Sequence, residues 1–364
     1  MNAKKRKVYK WLLIALCLVV VAVGGHTTQS LSVTKRGVVI GMGLDRTEEG
    51  YLVSAQMMQA GGGNSPEATA MYEVIVGEGA TLREAMASIT KKTSLYPSYA
   101  HCKVLFLGDE MLDEGLDDVL LSLMQNNDLG NVQVVATAGT AYKAITATVA
   151  ISPTTSAYLE RDNILVSKFG GRRLVSLKDY CQRIDCLSGN KFLPYAVMEP
   201  AEKPTGGEDS QQKESPVLFN ILHTAAFDCN NKVHYYGEDI TLAVGLVETE
   251  GGQLTAYDDE GRFVTVKINA AHRRRSYRPK CVEGHYRYDV SVVEQNVTEG
   301  DLEAEVVERL VAVQMENKMR SAYETCKADG VDIFSVSGHL YKRYGQLWPL
   351  EECRWERHVE VKCK

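Results

Sequence analysis

Any chemistry in this chain would have to start from its thiols, its imidazoles and a few clustered charges. His101 and Cys102 are adjacent, which brings to mind a thiol–imidazole nucleophile. Neighbours on a strand point to opposite faces, however, so this spacing predicts a structural histidine. Eight cysteines follow the first 25 residues: Cys102, Cys181, Cys186, Cys229, Cys281, Cys326, Cys353 and Cys363. None forms a Cys-x-x-Cys pair, and Cys181 with Cys186 is too widely spaced for a zinc ligand pair. An even count in an exported chain leaves buried free thiols, disulfides and metal ligation all open. Asp45-Arg46-Thr47-Glu48-Glu49-Gly50 has the opening order of a calcium loop but is too short and lacks the bidentate glutamate. Asp at its start and Gly at its end predict a hairpin turn instead. Gly41-x-Gly43 lacks the third glycine and the helix of a dinucleotide site, and no Gly-x-Ser-x-Gly, His-Glu-x-x-His or Walker loop occurs. The sequence therefore assigns no catalytic, metal or cofactor-binding residue, and no cofactor.

The strongest charge cluster is His272-Arg273-Arg274-Arg275, continued by Arg278 and Lys280. It reads as a solvated strand or loop face, or as a docking patch for an acidic partner or for phospholipid headgroups. The whole chain carries −6, but setting aside five N-terminal cations leaves 36 basic against 47 acidic residues, a net of −11. An acidic body argues against general nucleic-acid binding, which needs a basic face, and against lying flat on anionic lipid.

Those five cations (Lys4, Lys5, Arg6, Lys7 and Lys10) precede an apolar run at 11–23 closed by Gly24 and Gly25. A basic flank followed by an apolar run is an export signal or a short anchor, with the N-terminus kept inside. The run is shorter than the roughly twenty residues of a bilayer crossing. Ala22-Val23-Gly24 offers a cleavage site, and both cleavage after Gly24 and retention as an anchor stay open. Cys17 lies within the apolar run behind Leu16, so it does not fit lipidation. The rest of the chain is read as membrane-associated and extracytoplasmic.

The elements around these residues follow from periodicity. Strands are expected at 38–44, 51–58 and 72–76. Thr81 and Glu84 form a capping box that starts a helix buried through Leu82, Met86 and Ile89. A strand at 103–108 precedes a helix in which Leu116, Val119, Leu120, Leu123 and Met124 make one stripe and Asp117 and Asp118 face water. A strand at 132–138 and helices at 141–149, 155–169 and 177–186 complete an N-terminal α/β domain over 26–200. Apolar periodicity is lost over 201–216, read as a linker or long loop, and a C-terminal α+β domain follows over 217–364. It contains a hairpin around Cys229-Asn230-Asn231, an undecided helix or strand at 240–246, and strands at 263–269 and 286–293. A long helix beginning at Thr298 and Asp301 is expected to change its buried face midway, from Leu302, Val306, Leu310 and Val313 to Ala312, Met315, Met319, Ala322, Tyr323 and Cys326. Gly330 ends it, and a shorter helix near 339–344 and a final strand at 358–364 close the chain. The fold class is α+β: mixed sheets with packed helices in two domains, after an N-terminal signal or membrane segment.

Three regions resemble the Ger(x)C family, the C subunits of spore nutrient germinant receptors. The first is Val38-Val39-Ile40-Gly41-Met42-Gly43-Leu44-Asp45 with the acidic turn to Gly50. The second is the helix at 81–94 with Tyr99-Ala100-His101-Cys102-Lys103-Val104-Leu105-Phe106-Leu107-Gly108. The third is Asp332-Ile333-Phe334 with the helix to Trp348; Ala225-Ala226-Phe227 resembles the strand that opens the C-terminal domain. The resemblance implies a non-enzymatic subunit on the outer face of the spore inner membrane. It also implies assembly with a transporter-like membrane subunit and a large, partly cytoplasmic one. It marks Gly43, Asp45, Gly50, His101, Gly108, Phe227, Asp332, Ile333, Phe334 and Trp348 as fold determinants rather than ligand contacts. The small-residue-Cys lipobox usual in the family is missing from this chain. A stand-alone extracytoplasmic ligand-binding protein is the alternative reading.

Overall fold

In the computed structural model the first half of the chain alternates strands and helices. In chain order these are β1 (Arg36–Thr47), β2 (Gly50–Gln59), β3 (Met71–Gly79), α1 (Leu82–Lys92), β4 (Tyr96–Ser98), β5 (Val104–Leu107), α2 (Asp109–Asp113), α3 (Leu116–Met124), β6 (Gln133–Thr137), α4 (Ala141–Thr146), α5 (Thr155–Phe169), β7 (Val175–Ser176), α6 (Leu177–Ile184) and β8 (Phe192–Pro200). The second half adds β9 (Val217–Phe227), β10 (Val233–Tyr236), α7 (Glu238–Glu248), β11 (Gly252–Tyr257), β12 (Phe263–Arg278), β13 (Cys281–Asn296), α8 (Ala304–Ala328), α9 (Val336–Tyr344) and β14 (Arg354–Cys363). The structure describes residues 36–59, 71–93, 95–113, 116–125, 129, 131–149, 152–169, 174–184, 191–201, 216–248, 251–258, 260–296 and 302–364. The N-terminal segment at 1–25, the glycine-rich loop at 61–66, the basic turn at 170–173, Cys186, Thr298, Asp301 and residues 202–215 lie outside the described residues.

Among the described residues two mixed sheets form. The first runs β10-β9-β8-β6-β5-β1-β2-β3, with β4 against β1 and β7 against β6. Its centre is parallel, β1 with β5, β5 with β6 and β6 with β8, and helices supply the crossovers that parallel neighbours require. A strand buried on both faces reads as an unbroken apolar run, and Val104-Leu105-Phe106-Leu107 of β5 is wholly buried. Leu105 and Leu107 enter one core with α1 and α3, while Val104 and Phe106 enter a second with α4 and Leu159 of α5. The expected capping box is present: Thr81 Oγ1 accepts from the Glu84 amide at 3.2 Å, and Glu84 Oε2 accepts from the Thr81 amide at 3.3 Å.

The stretch at 201–216 joins β8 to β9, which pair antiparallel, so β9 and β10 extend the first sheet. The second sheet runs β11-β12-β13-β14, antiparallel except for β14, which returns parallel to β13 after α8 and α9. One of its faces is buried under α8 and the other is open. Sheet one and sheet two share one continuous core, bridged by Ala243, Val244, Leu246 and Val247 of α7. Tyr288 Oη of β13 donates to the Leu246 carbonyl of α7 at 2.7 Å, and Tyr236 Oη of β10 donates to Asp329 at 3.0 Å.

One open expectation is settled and several others are corrected. Residues 240–246 are helical, within α7, which has Glu238 and Asp239 in its first turn where the helix dipole favours acid. The long helix begins at Ala304 and keeps one face: Val307, Val311, Met315, Met319, Ala322, Tyr323 and Cys326 are buried in succession. Val306 and Leu310 only flank that stripe and Val313 is 52% exposed, so no change of face occurs. Asp117 does not face water as Asp118 does; it accepts from Tyr180 Oη at 3.1 Å and pairs with the buried Lys191 at 2.5 Å. An acidic position flanking an apolar stripe looked solvated because its partners come from α6 and from the start of β8. His101 and Cys102 lie on the turn before β5, not on a strand. His101 is exposed and Cys102 buried, and burial pushes that thiol up to about 12. The described body cysteines, Cys102, Cys181, Cys229, Cys281, Cys326, Cys353 and Cys363, are free thiols. Strands β4, β7, β8 and β11 were not expected.

Candidate docking face and the capped turns behind it

Three motif residues of the first half, Gly43, Asp45 and Gly108, converge on the start of α4. Asp45, at the inner end of β1, accepts from the backbone amides of Ala141 at 2.6 Å and Tyr142 at 2.8 Å. Thr140 caps the same helix through the Lys143 amide at 3.3 Å. Burial raises the Asp45 carboxyl above its ordinary value, and the two amides oppose that rise. Gly108 is required by this arrangement, because a Cβ there would stand 2.2 Å from Asp45 Oδ1. A Cβ on Gly43 would meet the Ala141 carbonyl at 3.2 Å. Gly50 begins β2 at φ +139, where a Cβ would lie 2.4 Å from the Gly79 carbonyl.

In the second half, Asp332 is buried and caps α9. Its Oδ1 accepts from the Val336 amide at 2.6 Å and Oδ2 from the Gly338 amide at 3.2 Å. Ile333 is buried, and Phe334 stacks on Trp355 of β14 with centroids 4.6 Å apart. Trp348 is buried and its carbonyl accepts from Ser337 Oγ at 2.8 Å. Phe227 sits edge-on to Tyr180, 6.5 Å between centroids, under the Lys191 ammonium. These side chains set turns and core contacts, and none of them lines the open face of sheet two.

The basic run lies on the outer half of β12, within a strand hairpin of 16 residues per arm. Alternation splits it. Arg274 pairs in register with His285 and His272 with Arg287, placing these four on the open face with His358 and Glu360 of β14. Together they line a shallow cleft of about 300 Å³. Arg273 and Arg275 turn to the other face: Arg273 Nη1 donates to the Glu248 carbonyl of α7 at 3.2 Å, and Arg275 approaches Tyr286. Arg278 pairs with Glu356 at 2.7 Å and Lys280 with Glu352 at 2.6 Å. The five cations therefore do not form one surface.

His339 of α9 lies close to the covered side of this hairpin, its ring 6.4 Å from that of Tyr277. Burial, then the charges of Arg275 and Lys342, lower its pKa to about 4. A histidine depressed in the fold contributes stability that is complete above its unfolded value of about 6.5 and is lost as pH falls towards 4. With partial exposure allowed for, about 2 kcal/mol should disappear across that window. His339→Gln should flatten the fall in chemical-denaturation midpoints between pH 7 and pH 4; an unchanged profile would contradict this.

Two family profiles match the chain in succession. Residues 29–167 match the spore germination protein N-terminal domain, and residues 224–364 match the GerAC-like C-terminal domain of spore germination proteins. The chain belongs to the GerAC family of spore germination proteins. It is a GerAC-like C subunit of a spore germinant receptor, a non-enzymatic role. Membership of that family implies a place in a receptor complex. The fold agrees: the crystal structure of the GerBC protein superposes with a TM-score of 0.51 at 13% identity, over 89% of this chain and 96% of that one. No curated protein sequence matches. Among the described residues, no helix is long and apolar enough to cross a membrane.

Proposed function

We propose that this GerAC-family chain works outside the cytoplasm, on the outer face of the spore inner membrane, tethered by its N-terminal segment and by contacts with its partners. Those partners are a transporter-like membrane subunit and a large, partly cytoplasmic subunit, with which it converts nutrient sensing into release of spore contents. The observation that carries this reading is that both germination-protein domains match in order along one chain. The family-motif residues act as fold determinants that set turns, helix starts and core contacts, with His101 the exposed member on the turn before β5. The basic run of β12 supplies the contact surface, narrowed to Arg274 on the open face, where it lies beside His272 and Arg287. An acidic partner segment fits it better than bulk anionic lipid, because the body as a whole is acidic.

Deletion of the gene tests the role. Spores lacking the chain should fail to germinate in at least one nutrient while responding normally to treatments that bypass the receptor. Normal responses to every nutrient would refute the reading. Complementation with Arg274→Glu should restore germination only in part.

A further inference from the structure

The open face of sheet two carries a grouping outside the capped turns and outside the basic run. Glu283 and His285 stand two residues apart on β13, so both leave the sheet on the same side. Parallel register sets His358 of β14 directly opposite His285. The two imidazoles stack with centroids 4.8 Å apart and planes 17° from parallel. Glu283 Oε1 lies 3.5 Å from His285 Nε2 and 3.2 Å from His358 Nε2. One ligand atom from each of the three falls within 4.8 Å of the others.

A tetrahedral ion at about 2.0–2.1 Å from its nitrogen and oxygen ligands holds them roughly 3.3 Å from one another. A charge-assisted hydrogen bond draws nitrogen and oxygen to about 2.7–2.9 Å. The two separations at Glu283 lie nearer the first value than the second. The third edge, between the imidazoles, is at most 4.8 Å, and the rings must turn out of their stack for both nitrogens to meet one ion. The carboxylate is also held in place from behind. Ser276 Oγ donates to Glu283 Oε2 at 2.9 Å, and Arg278 Nη2 lies 3.6 Å from that same oxygen. Oε1 is thereby left facing the two rings, as a ligand oriented by outer-shell partners would be. Arg278 is drawn more closely to Glu356, at 2.7 Å, so it does not cancel the Glu283 charge alone.

We propose that Glu283, His285 and His358 form a binding site for a divalent transition-metal ion of the zinc class. Imidazole ligands select such ions over calcium and magnesium, which need a shell of oxygens. Arg274 and Arg287 share this face, and their field opposes any cation held by charge alone, which sharpens the preference for coordinate bonding. Both histidines are exposed, leaving the remaining coordination positions to water.

The test is equilibrium dialysis of the full chain, in detergent, against Zn²⁺, with Co²⁺ as a spectroscopic substitute. One ion per chain is expected, and Co²⁺ should give the intense visible bands of a tetrahedral or five-coordinate site. His285→Ala and His358→Ala should each raise Kd by more than about tenfold, and Ser276→Ala by about tenfold. His272→Ala, in the same cleft, should leave Kd unchanged. Because the three histidines are exposed, all these variants should keep the parent's metal-free melting temperature, which separates loss of ligand from loss of fold. Absence of stoichiometric uptake, or uptake that survives in the His285→Ala/His358→Ala double variant, would overturn the site.

Discussion

Replacing Asp45 with alanine should destabilise the first sheet by about 3 kcal/mol, with loss of the α4 turn from β1. The carboxylate serves two backbone amides at 2.6 and 2.8 Å. A hydrogen bond to a charged group contributes about 1.5–3 kcal/mol, and an amide left unpaired in the interior costs about 1–3 kcal/mol. Tyr142 is 44% exposed as a residue and the bond to its amide is only part-buried, so solvent can recover part of that amide's loss, and burial of the carboxylate already offsets part of the gain. Asp45→Asn would keep one acceptor oxygen and should lose about half as much. Gly108 gives the sharper form of the prediction. Gly108→Ala forces a methyl to within 2.2 Å of Asp45 Oδ1 and must displace the carboxylate from its amides. The same substitution made beside Asp45→Ala meets no such oxygen. Denaturant unfolding of the four proteins of this cycle should therefore show the second change costing at least about 1 kcal/mol less than the first alone. Simple additivity would mean that the two positions act independently.

Asp332→Ala should be nearly as damaging, again by about 3 kcal/mol, but at the other end of the molecule. Both carboxylate oxygens accept buried amides at the start of α9. Immediately after it, Ile333 and Phe334 are driven into the core, where Phe334 stacks on Trp355 and Tyr323 meets both rings. Releasing the cap removes the constraint that aims Phe334. Of the chain's three tryptophans, Trp348 and Trp355 lie in this region and Trp11 in the N-terminal segment. Tryptophan emission should shift to the red in Asp332→Ala at denaturant concentrations where the parent is still native. The Asp45 variants should leave that emission native until the whole chain unfolds. Coincident transitions by fluorescence and circular dichroism in Asp332→Ala would argue against a local role.

Most elements were legible because their apolar spacing is local. The hairpin at β1–β2, the capping box at Thr81 and the stripe of α3 all come from patterns within a dozen residues. What was not legible was partnership across the chain. Asp117 looked like a solvated helix acid until Lys191 and Tyr180 arrived from elsewhere in sequence. The face of α8 was misread by one position, because Leu302, Val306, Leu310 and Val313 are apolar too and only tertiary packing chooses between adjacent stripes. Strand β11 is too polar to announce itself, and β8 is interrupted by Pro194. The basic run was visible, but its splitting by strand alternation was not, since the sequence left strand and loop open there. Glu283 and His285 form a Glu-x-His pair that alternation could have placed on one face. Their meeting with His358 depends on the parallel return of β14, which no local pattern encodes. The motif positions were legible by resemblance, and packing supplies their physical reason: Gly108 is small because Asp45 occupies the space its Cβ would need.

Recovery of the intact complex from spores would decide whether this GerAC-family chain sits with partner subunits in a receptor at the spore inner membrane. An affinity tag at the C-terminus, solubilisation of spore inner membranes in mild detergent and quantitative mass spectrometry of the eluate would suffice. A transporter-like polytopic subunit and a large second subunit should be recovered in fixed ratio to the tagged chain, and in lower yield with Arg274→Glu. Recovery of the tagged chain alone from a membrane fraction in which both other subunits are present would contradict that placement.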